Sequence, residues 1–329
     1  MRQGGPQPQW YLHADIAAYY TSISKPLLLR VIEKKINKIK NISWREKIFL
    51  VALCRNIVYQ DPTKNPKYTG KKELLKAIPR HKSLFGSPAK TGLPIGSLTS
   101  QFFSNLFLDE LDQYCKHDLK IKRYIRYVDD FVIVEDSAEK LLAHKKEIEN
   151  FLKVQLKLQL HPKKIRIQKV NQGCDFLGFI VRPHFLLIRP RSLKAFKRRL
   201  AFFNWLLDST PNVQSQPQSI PQKGKWARYL RQGLFRSGTR PDWELLYGIQ
   251  QTLNAYWGLL GFCKSYHLKQ QLYQNDFGLL KNYFISDSSF SKLRLRPLQE
   301  LLNEGLLEES CAAFLSGSGK TKPLKEGHT

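Results

Sequence analysis

The chain has 329 residues and carries 54 lysines and arginines against 27 aspartates and glutamates, a formal net charge of +27. This excess argues against a neutral metabolic enzyme and favours a polyanionic partner, because each cation that neutralises a phosphate releases condensed counterions. With 42% hydrophobic and 12% aromatic residues the chain can fill ordinary cores, which excludes disorder of the whole chain. A basic surface that serves only solubility is the alternative.

The five cysteines are widely spaced and form no CxxC pair, so a reducing, cytoplasmic compartment is expected. No apolar run approaches the roughly 18 residues of a membrane span. The N-terminus lacks the apolar core of a signal peptide. The sequence therefore predicts neither secretion nor a membrane partner.

The first predicted elements are a strand over 10–14, which ends at Asp15, and a helical pattern over 16–29. Residues 34–82 follow with 14 lysines and arginines against 3 acids, and they include an amphipathic helical pattern over 43–58. This basic insertion, taken as residues 30–92 in full, is either a solvated face or a phosphate-contacting one.

A buried helix is predicted after the turn-rich segment 92–96, because apolar residues recur every three or four positions. These residues are Leu98, Phe102, Phe103, Leu106, Phe107, Leu111 and Tyr114. Residues 123–134 then place β-branched and aromatic side chains on both sides of Asp129 and Asp130. This pattern predicts a β-hairpin with both carboxylates at its tip.

The elements that follow are a predicted helix over 138–158 and strands over 164–169 and 175–181, which complete an α+β layer structure. Between residues 189 and 240 the composition shifts to 12 lysines and arginines against one acid. This shift predicts a second, helical and basic domain. Residues 316–329 are small, polar and charged, and are expected to form a disordered tail.

The three acids Asp15, Asp129 and Asp130 are the strongest chemical signal. Carboxylates at the tip of apolar strands are costly unless a cation neutralises them. Oxygen ligands that share a site with substrate phosphates suit Mg²⁺. Two such ions can activate a 3′-hydroxyl and stabilise a leaving pyrophosphate in an in-line displacement. The alternative is an Asp-Asp turn that only satisfies backbone amides.

Five motifs occur in the order of the palm motifs of reverse transcriptases. They are Asp15-Ile-Ala-Ala-Tyr-Tyr20, Ile95-Gly-Ser-Leu-Thr-Ser-Gln101, Tyr127-Val-Asp-Asp130, His161-Pro-Lys-Lys164 and Phe176-Leu-Gly-Phe179. The chain thus resembles reverse transcriptases over roughly residues 10–275, and segments 254–258 and 265–268 look like the thumb pattern of group II intron-like enzymes.

The resemblance implies a right-hand polymerase with an antiparallel palm sheet and helices. The palm, with remnant fingers elements, would occupy residues 1–188, a basic α-helical thumb 189–275, and a C-terminal extension 276–329. Only 14 residues precede Asp15, whereas a whole fingers region precedes this aspartate in the family. The chain is therefore expected to lack most of the fingers.

By position, the resemblance implies that Asp15 and Asp129 bind two catalytic Mg²⁺ ions, for which Mn²⁺ is a possible substitute. Asp130 would be a weaker or supporting ligand, and Ile16 belongs to the same metal site. Lys164 resembles the lysine that protonates the leaving pyrophosphate as a general acid. A solvated lysine is the alternative for Lys164.

On the nucleotide side, Tyr20 resembles the steric gate that collides with a ribose 2′-hydroxyl, with a core aromatic as the alternative. Gly96, Ser100 and Gln101 would complete the nucleotide site. The primer grip would be an apolar hairpin whose glycine admits the primer backbone. It comprises Phe176, Leu177, Gly178 and Phe179.

Basic residues of the thumb are expected to follow the template-primer backbone. They are Lys194, Lys197, Arg198, Arg199, Arg228 and Arg231. The implied partners are a template RNA, a cDNA or DNA primer and dNTPs. A small basic accessory protein would also be a partner if the chain is similar to the enzymes of diversity-generating retroelements.

The subtype follows from Ile95 and Gln101, which stand where most reverse transcriptases have Gln and Pro. This IGxxxSQ pattern resembles the enzymes of diversity-generating retroelements, which copy a template-repeat RNA and misincorporate opposite template adenines. The alternatives are an accurate group II intron-like or phage-defence reverse transcriptase, and an RNA-binding remnant without polymerase activity.

Overall fold

The computed structural model describes residues 9–67, 77–79, 82–208 and 240–307. Contacts divide the chain into two compact units, residues 1–172 and 173–329. Each unit has its own apolar core. Within the described ranges, no helix has both the length and the apolar character needed to cross a membrane.

The first unit combines strands and helices. Its strands are β1 (Trp10–Asp15), β2 (Tyr124–Tyr127), β3 (Asp130–Glu135) and β4 (Arg166–Lys169). Its helices are α1 (Tyr19–Ser22), α2 (Lys25–Asn37), α3 (Trp44–Tyr59), α4 (Leu98–Gln113) and α5 (Ala138–Phe151). Five-residue π-helical turns continue α4 to Asp118 and α5 to Leu156.

The four strands form one antiparallel sheet in the order β2-β3-β1-β4, which places β1 in the interior of the sheet. Alternate residues of β1 and β3 point to opposite faces. Leu12 and Ala14 of β1 and Phe131 and Ile133 of β3 are fully buried in the core. The predicted α+β architecture with an antiparallel sheet is confirmed.

The predicted continuous helix over 16–29 is wrong, because the chain leaves helical geometry between α1 and α2. Ala18, which precedes α1, adopts a left-handed φ of 47°, and Ser24 before α2 is extended. Pro26 lies in the first turn of α2, where a proline is tolerated because its missing N–H has no intrahelical partner. The apolar period could not reveal this break.

The predicted helix over 43–58 is confirmed as α3. Ser43 caps it: the serine side chain accepts from the backbone N–H of Glu46, and the Glu46 side chain accepts from the backbone N–H of Ser43. The pattern after residue 96 is confirmed as α4, with Phe107 fully buried. The predicted burial of Leu98 and Phe102 is wrong, since these side chains are 81% and 63% exposed.

The second unit contains two small antiparallel sheets and four α-helices within its described ranges. The strands are β5 (Cys174–Phe176), β6 (Phe179–Val181), β7 (Leu186–Ile188), β8 (Phe284–Ser286) and β9 (Leu293–Leu295). The helices are α6 (Pro190–Leu207), α7 (Trp243–Gly261), α8 (Tyr266–Gln271) and α9 (Leu298–Asn303). The predicted tail over 316–329 lies outside the described residues.

Aromatic packing joins α6 to α7 in the core of the second unit. The rings of Phe196 and Tyr256 are stacked with their centroids 4.6 Å apart. Trp257 is buried, and its indole N–H donates to the carbonyl of Phe290 at 3.0 Å. These aromatic residues of α7 therefore serve the core.

Candidate active site

The two aspartate motifs meet on neighbouring strands. Asp15, the last residue of β1, is the register partner of Asp130, the first residue of β3. Asp129 precedes β3, and its carbonyl accepts from the backbone N–H of Ile16 at 3.2 Å. The sheet therefore brings together the three acids that the sequence singled out. Ile16 itself is buried and has only its backbone carbonyl to offer a metal ion.

A tight turn connects β2 to β3, and we call residues Tyr127–Asp130 the acidic turn. Tyr127 and Asp130 are register partners, so only Val128 and Asp129 lie between the strands. Val128 has a φ of 55°, in the left-handed region. A β-branched residue rarely adopts this conformation, which costs about 1–3 kcal/mol unless the surroundings enforce it.

Lys164 reaches the site through a second turn. The backbone N–H of His161 donates to the carbonyl of Asp15 at 2.7 Å, and the N–H of Lys164 donates to the carbonyl of His161 at 3.0 Å. This turn delivers the Lys164 ammonium to the Asp15 carboxylate, with 2.7 Å between Nζ and Oδ2. The fourth predicted catalytic residue thus contacts the first.

His13 was missed by the sequence reasoning. It precedes Asp15 by two residues, so both side chains lie on the same face of β1. Its Nε2 lies 2.5 Å from Oδ1 of Asp130. A histidine at this spacing before a strand-ending aspartate was the available signal. This signal alone does not identify His13 as a site residue, because polar residues are common on the open face of a sheet.

The three carboxylates repel one another. The pKa of Asp129 is raised, first by burial and then by the negative charges of Asp15 and Asp130, while Lys164 acts in the opposite direction. A bound cation would relieve this repulsion. The donors are hard oxygen atoms, which suit Mg²⁺. The residues present therefore fit the predicted metal site.

Among the described residues, no group of three or more His, Cys, Asp or Glu side chains is arranged to hold a metal ion by itself. Mg²⁺ typically keeps several water or phosphate ligands and needs only one or two protein carboxylates. The acids are therefore suited to share an ion with a bound substrate rather than to enclose it.

Tyr20 lies at the edge of the core. Its neighbour Tyr19 is the core aromatic: it is buried, its hydroxyl donates to the Ser104 carbonyl at 2.5 Å, and burial raises its pKa. Tyr20 is only half-buried, and its hydroxyl accepts from the Ser104 hydroxyl at 3.2 Å. The Tyr20 carbonyl also accepts from the N–H of Leu93 at 2.8 Å.

The remaining predicted nucleotide residues lie at the entry of α4. Gly96 has a φ of +97° and open space where a Cβ would stand. Ser100 is buried, whereas Gln101 is exposed. The Gln101 carbonyl accepts from the Asn105 side chain at 3.1 Å. The helix entry therefore presents Gly96 and Gln101 to solvent and keeps Ser100 inside.

The predicted primer grip is the β5–β6 hairpin of the second unit. Phe176 and Phe179 are register partners across a two-residue turn. Leu177 has a φ of 51° and Gly178 a φ of 91°. A Cβ at Gly178 would meet nothing within 4 Å, so the turn leaves its backbone open to approach.

The predicted nucleic-acid-binding residues of α6 differ in exposure. Lys194 and Arg198 are exposed, and Lys197 is exposed but pairs with Asp276 at 3.0 Å. Arg199 is half-buried, and its guanidinium lies 6.0 Å from the centroid of the Phe202 ring. Lys194 and Arg198 are therefore the best placed for phosphate contacts. Arg228 and Arg231 lie outside the described residues.

Comparison with known proteins bears on the whole first unit. A family model described as reverse transcriptase (RNA-dependent DNA polymerase) matches residues 3–181. The chain is 26% identical over 221 residues to protein YkfC of Escherichia coli (strain K12), covering 57% of this chain and 49% of that protein. It is 27% identical over 214 residues to the group II intron-encoded protein LtrA of Lactococcus lactis subsp. cremoris, covering 61% of this chain and 32% of that protein.

The chain thus spans between a third and a half of the length of these curated relatives. Two solved structures are also similar. The telomerase of Candida albicans has a TM-score of 0.36 at 14% identity, covering 85% of this chain and 44% of that chain. The telomerase of Candida tropicalis has a TM-score of 0.40 at 14% identity, covering 83% and 41%.

Proposed function

The chain belongs to the reverse transcriptase (RNA-dependent DNA polymerase) family, and on this premise we propose that it copies a template RNA into cDNA by two-metal nucleotidyl transfer. The observation that carries the proposal is the acidic site itself. Asp15 and Asp130 are paired across β1 and β3, with Asp129 in the turn between the strands of the hairpin. Lys164 contacts Asp15 at 2.7 Å.

Two Mg²⁺ ions, with Mn²⁺ as a possible substitute, would be held by Asp15 and Asp129, with Asp130 and the Ile16 carbonyl in support. When bound, such ions activate the primer 3′-hydroxyl and stabilise the leaving pyrophosphate. The chain's own residues position these groups. The rigid pairing of β1 with β3 fixes the spacing of the acids, and the His161–Lys164 turn holds an ammonium beside them.

Tyr20 would act as the steric gate for dNTPs. Its half-buried ring is tied through Ser104 to α4, the helix that carries Gly96, Ser100 and Gln101 at its entry. The β5–β6 hairpin would hold the primer end, and Lys194 and Arg198 would contact the template-primer backbone. These assignments are supported by the matching motifs and by the exposure of the residues.

Within this class we favour an error-prone enzyme of the diversity-generating type, which misincorporates opposite template adenines. The support is Ile95 and Gln101, both exposed at the entry of α4. A small basic accessory protein and a reducing, cytoplasmic compartment belong to the same proposal. The compartment is proposed because the five cysteines are widely spaced and form no CxxC pair.

An accurate group II intron-like enzyme is the second candidate. The similarity to LtrA, a group II intron-encoded protein, favours it. The two candidates differ in the error spectrum of the cDNA, because only the diversity-generating type concentrates errors opposite adenine.

The test is primer extension on an adenine-containing RNA template with Mg²⁺ and all four dNTPs, followed by sequencing of the products. We expect the chain to extend the primer and Asp129→Asn to abolish extension. Asp118→Asn, which removes an exposed acid at the end of the π-helical turn, should extend normally.

Errors concentrated opposite adenine would support the diversity-generating type, and uniformly accurate products would support the intron-like one. RNA binding without any extension would contradict the polymerase proposal and leave an RNA-binding remnant.

A further inference from the structure

Arg126 is a largely buried cation that contacts the acidic turn. It lies on β2 immediately before Tyr127 and is the register partner of the fully buried Phe131. Only 9% of its side chain is exposed. A guanidinium cannot lose its proton in a protein, so its burial requires partners that match its charge and geometry.

Asp112 of α4 supplies the first partner. Arg126 Nε donates to Oδ1 of Asp112 at 2.8 Å, and Nη2 donates to Oδ2 at 2.5 Å. The Tyr124 hydroxyl also donates to Oδ1 of Asp112 at 2.8 Å. A bidentate pair fixes the plane of the guanidinium as well as its position. The fork therefore has one orientation relative to α4.

The third nitrogen of the guanidinium reaches the acidic turn. Nη1 donates to the carbonyl of Val128 at 2.7 Å and to Oδ1 of Asn105 at 3.2 Å. Val128 is the residue with the left-handed φ of 55°. A hydrogen bond from a charged donor to this carbonyl stabilises the turn by an amount of the same order as the strain in a left-handed valine.

We propose that Arg126 is a positioning residue that holds Val128 in its left-handed conformation and thereby aims Asp129 and Asp130 at the metal-binding region beside Asp15. The inference rests on the proposed polymerase function and deepens it. The anchor is α4, which holds the guanidinium through Asp112 and Asn105. The strained turn is therefore supported from the core side of the sheet.

A purely structural role is the competing explanation, because removing one member of a buried ion pair destabilises a protein. Arg126→Lys keeps the charge but has one nitrogen in place of the fork. Its ammonium cannot reproduce the bidentate pair with Asp112 together with the hydrogen bond to the Val128 carbonyl. We expect kcat for nucleotide addition to fall about 10–100-fold, because mutating a residue that orients metal ligands typically has an effect of this size. KM for primer-template should change little.

Val128→Gly separates the two explanations. Glycine adopts a positive φ without steric cost, so the turn no longer needs the guanidinium to hold it. Adding Val128→Gly to Arg126→Lys should restore most of the lost kcat while leaving the loss of thermal stability in place. Arg123→Lys is the matched control: it changes an exposed arginine of the same hairpin that pairs with Asp136 at 2.7 Å, and should leave kcat unchanged.

Mn²⁺ binding by the same proteins is measured calorimetrically, so positioning has a readout besides extension. Weaker binding in Arg126→Lys that Val128→Gly restores would support the proposal, even if the wild-type chain extends no primer and the polymerase proposal fails. Unchanged kcat and Mn²⁺ affinity in Arg126→Lys, or a loss that Val128→Gly does not rescue, would overturn it. If Arg126→Lys fails to fold, Asp112→Asn replaces it. This variant weakens the ion pair with Arg126 while keeping a side chain of nearly the same volume. The same two results are then required: a loss of kcat and Mn²⁺ affinity, and its rescue by Val128→Gly.

Discussion

Two hairpins of this chain have two-residue turns, and both turns contain residues with positive φ. The two turns differ in how this backbone conformation is accommodated. In the first unit, β2 and β3 are joined by Val128 and Asp129, and a valine takes the left-handed conformation. In the second unit, β5 and β6 are joined by Leu177 and Gly178, and both residues have positive φ. A buried guanidinium supports the first turn, whereas space is open around the glycine of the second.

The difference follows from what each turn would have to do. A turn that carries two mutually repelling carboxylates needs side-chain support from the core, since charge repulsion would otherwise open it. A turn that lets a nucleic-acid backbone approach instead needs one position without a side chain and with open space around it, as at Gly178. In the first unit, polar contacts hold the turn that carries the acids. In the second unit, a glycine leaves the backbone of the turn accessible.

The largest effect is expected at the acids. Asp15→Asn should reduce single-turnover primer extension by about 10³-fold or more, because metal assistance supplies several kcal/mol and each 1.36 kcal/mol is a factor of ten. Asp130→Asn should cost only about tenfold, since His13 already engages one of its oxygens and an amide retains an oxygen there. Equal losses in the two variants would show that Asp130 is not a supporting residue.

A smaller effect is expected at the second hairpin. Gly178→Val places a β-branched side chain at a φ of 91° and should destabilise the turn by about 1–3 kcal/mol. We expect KM for primer-template to rise about tenfold, the equivalent of 1.4 kcal/mol, with kcat nearly unchanged. Gly261→Ala on α7, where a Cβ also meets nothing within 4 Å, is the matched control. A fall in kcat alone would place Gly178 outside primer binding.

Substitutions on the exposed basic face of α6 should have a moderate effect on RNA affinity and on its salt dependence. Lys194→Ala and Arg198→Ala should each weaken RNA binding several-fold. Each should also flatten the slope of log K against log salt by about 0.7–0.9, the contribution of one phosphate contact. Fluorescence anisotropy over a salt series measures both quantities. Lys116→Ala, an exposed lysine of the first unit, should leave the slope unchanged, and an unchanged slope in the α6 variants would remove them from the interface.

The smallest effect concerns stability. Because the pKa of Asp129 is raised by burial and by its neighbours, its ionised form is disfavoured in the fold. Stability should therefore fall as the pH rises through this pKa. Asp129→Asn removes the fall and should raise the unfolding free energy in the absence of Mg²⁺ by about 0.5–1 kcal/mol near neutral pH.

Urea titration with and without Mg²⁺ measures this effect. Added Mg²⁺ should reverse the order of the two proteins, because only the aspartate form gains stability from binding the ion. A wild-type protein that is already the more stable one without Mg²⁺ would contradict the raised pKa.

Local patterns in the sequence were sufficient to predict the hairpin, the acids at its tip and the capped helix α3. Each depends on alternation, turn residues or caps within a few positions. The break between α1 and α2 was missed, because a left-handed Ala18 has no sequence signature comparable to glycine. The exposure of Leu98 and Phe102 was missed because a helical period does not show which end of a helix extends beyond the core.

The polar contacts that Arg126 and His13 make at the site could not be predicted from the sequence, for a different reason. The sequence pattern places Arg126 in an apolar strand, and its partners Asn105 and Asp112 come from a helix that precedes it in the chain. Likewise, the contact of His13 with Asp130 joins residues 117 positions apart. Long-range polar contacts of this kind depend on how elements pack, which periodicity does not encode.

The interior position of β1 has a consequence for how the protein is made. This strand is synthesised before its neighbours β3 and β4, which follow more than a hundred residues later in the chain. Tyr11, for example, donates its hydroxyl hydrogen bond to Gln168, 157 positions away. Helices α2, α3 and α4 can form early from local contacts, whereas the sheet can close only after residue 169. Assembly of Asp15, Asp129 and Asp130 into one site is thus expected to be a late step in the folding of this unit, limited by loop closure over long stretches of chain.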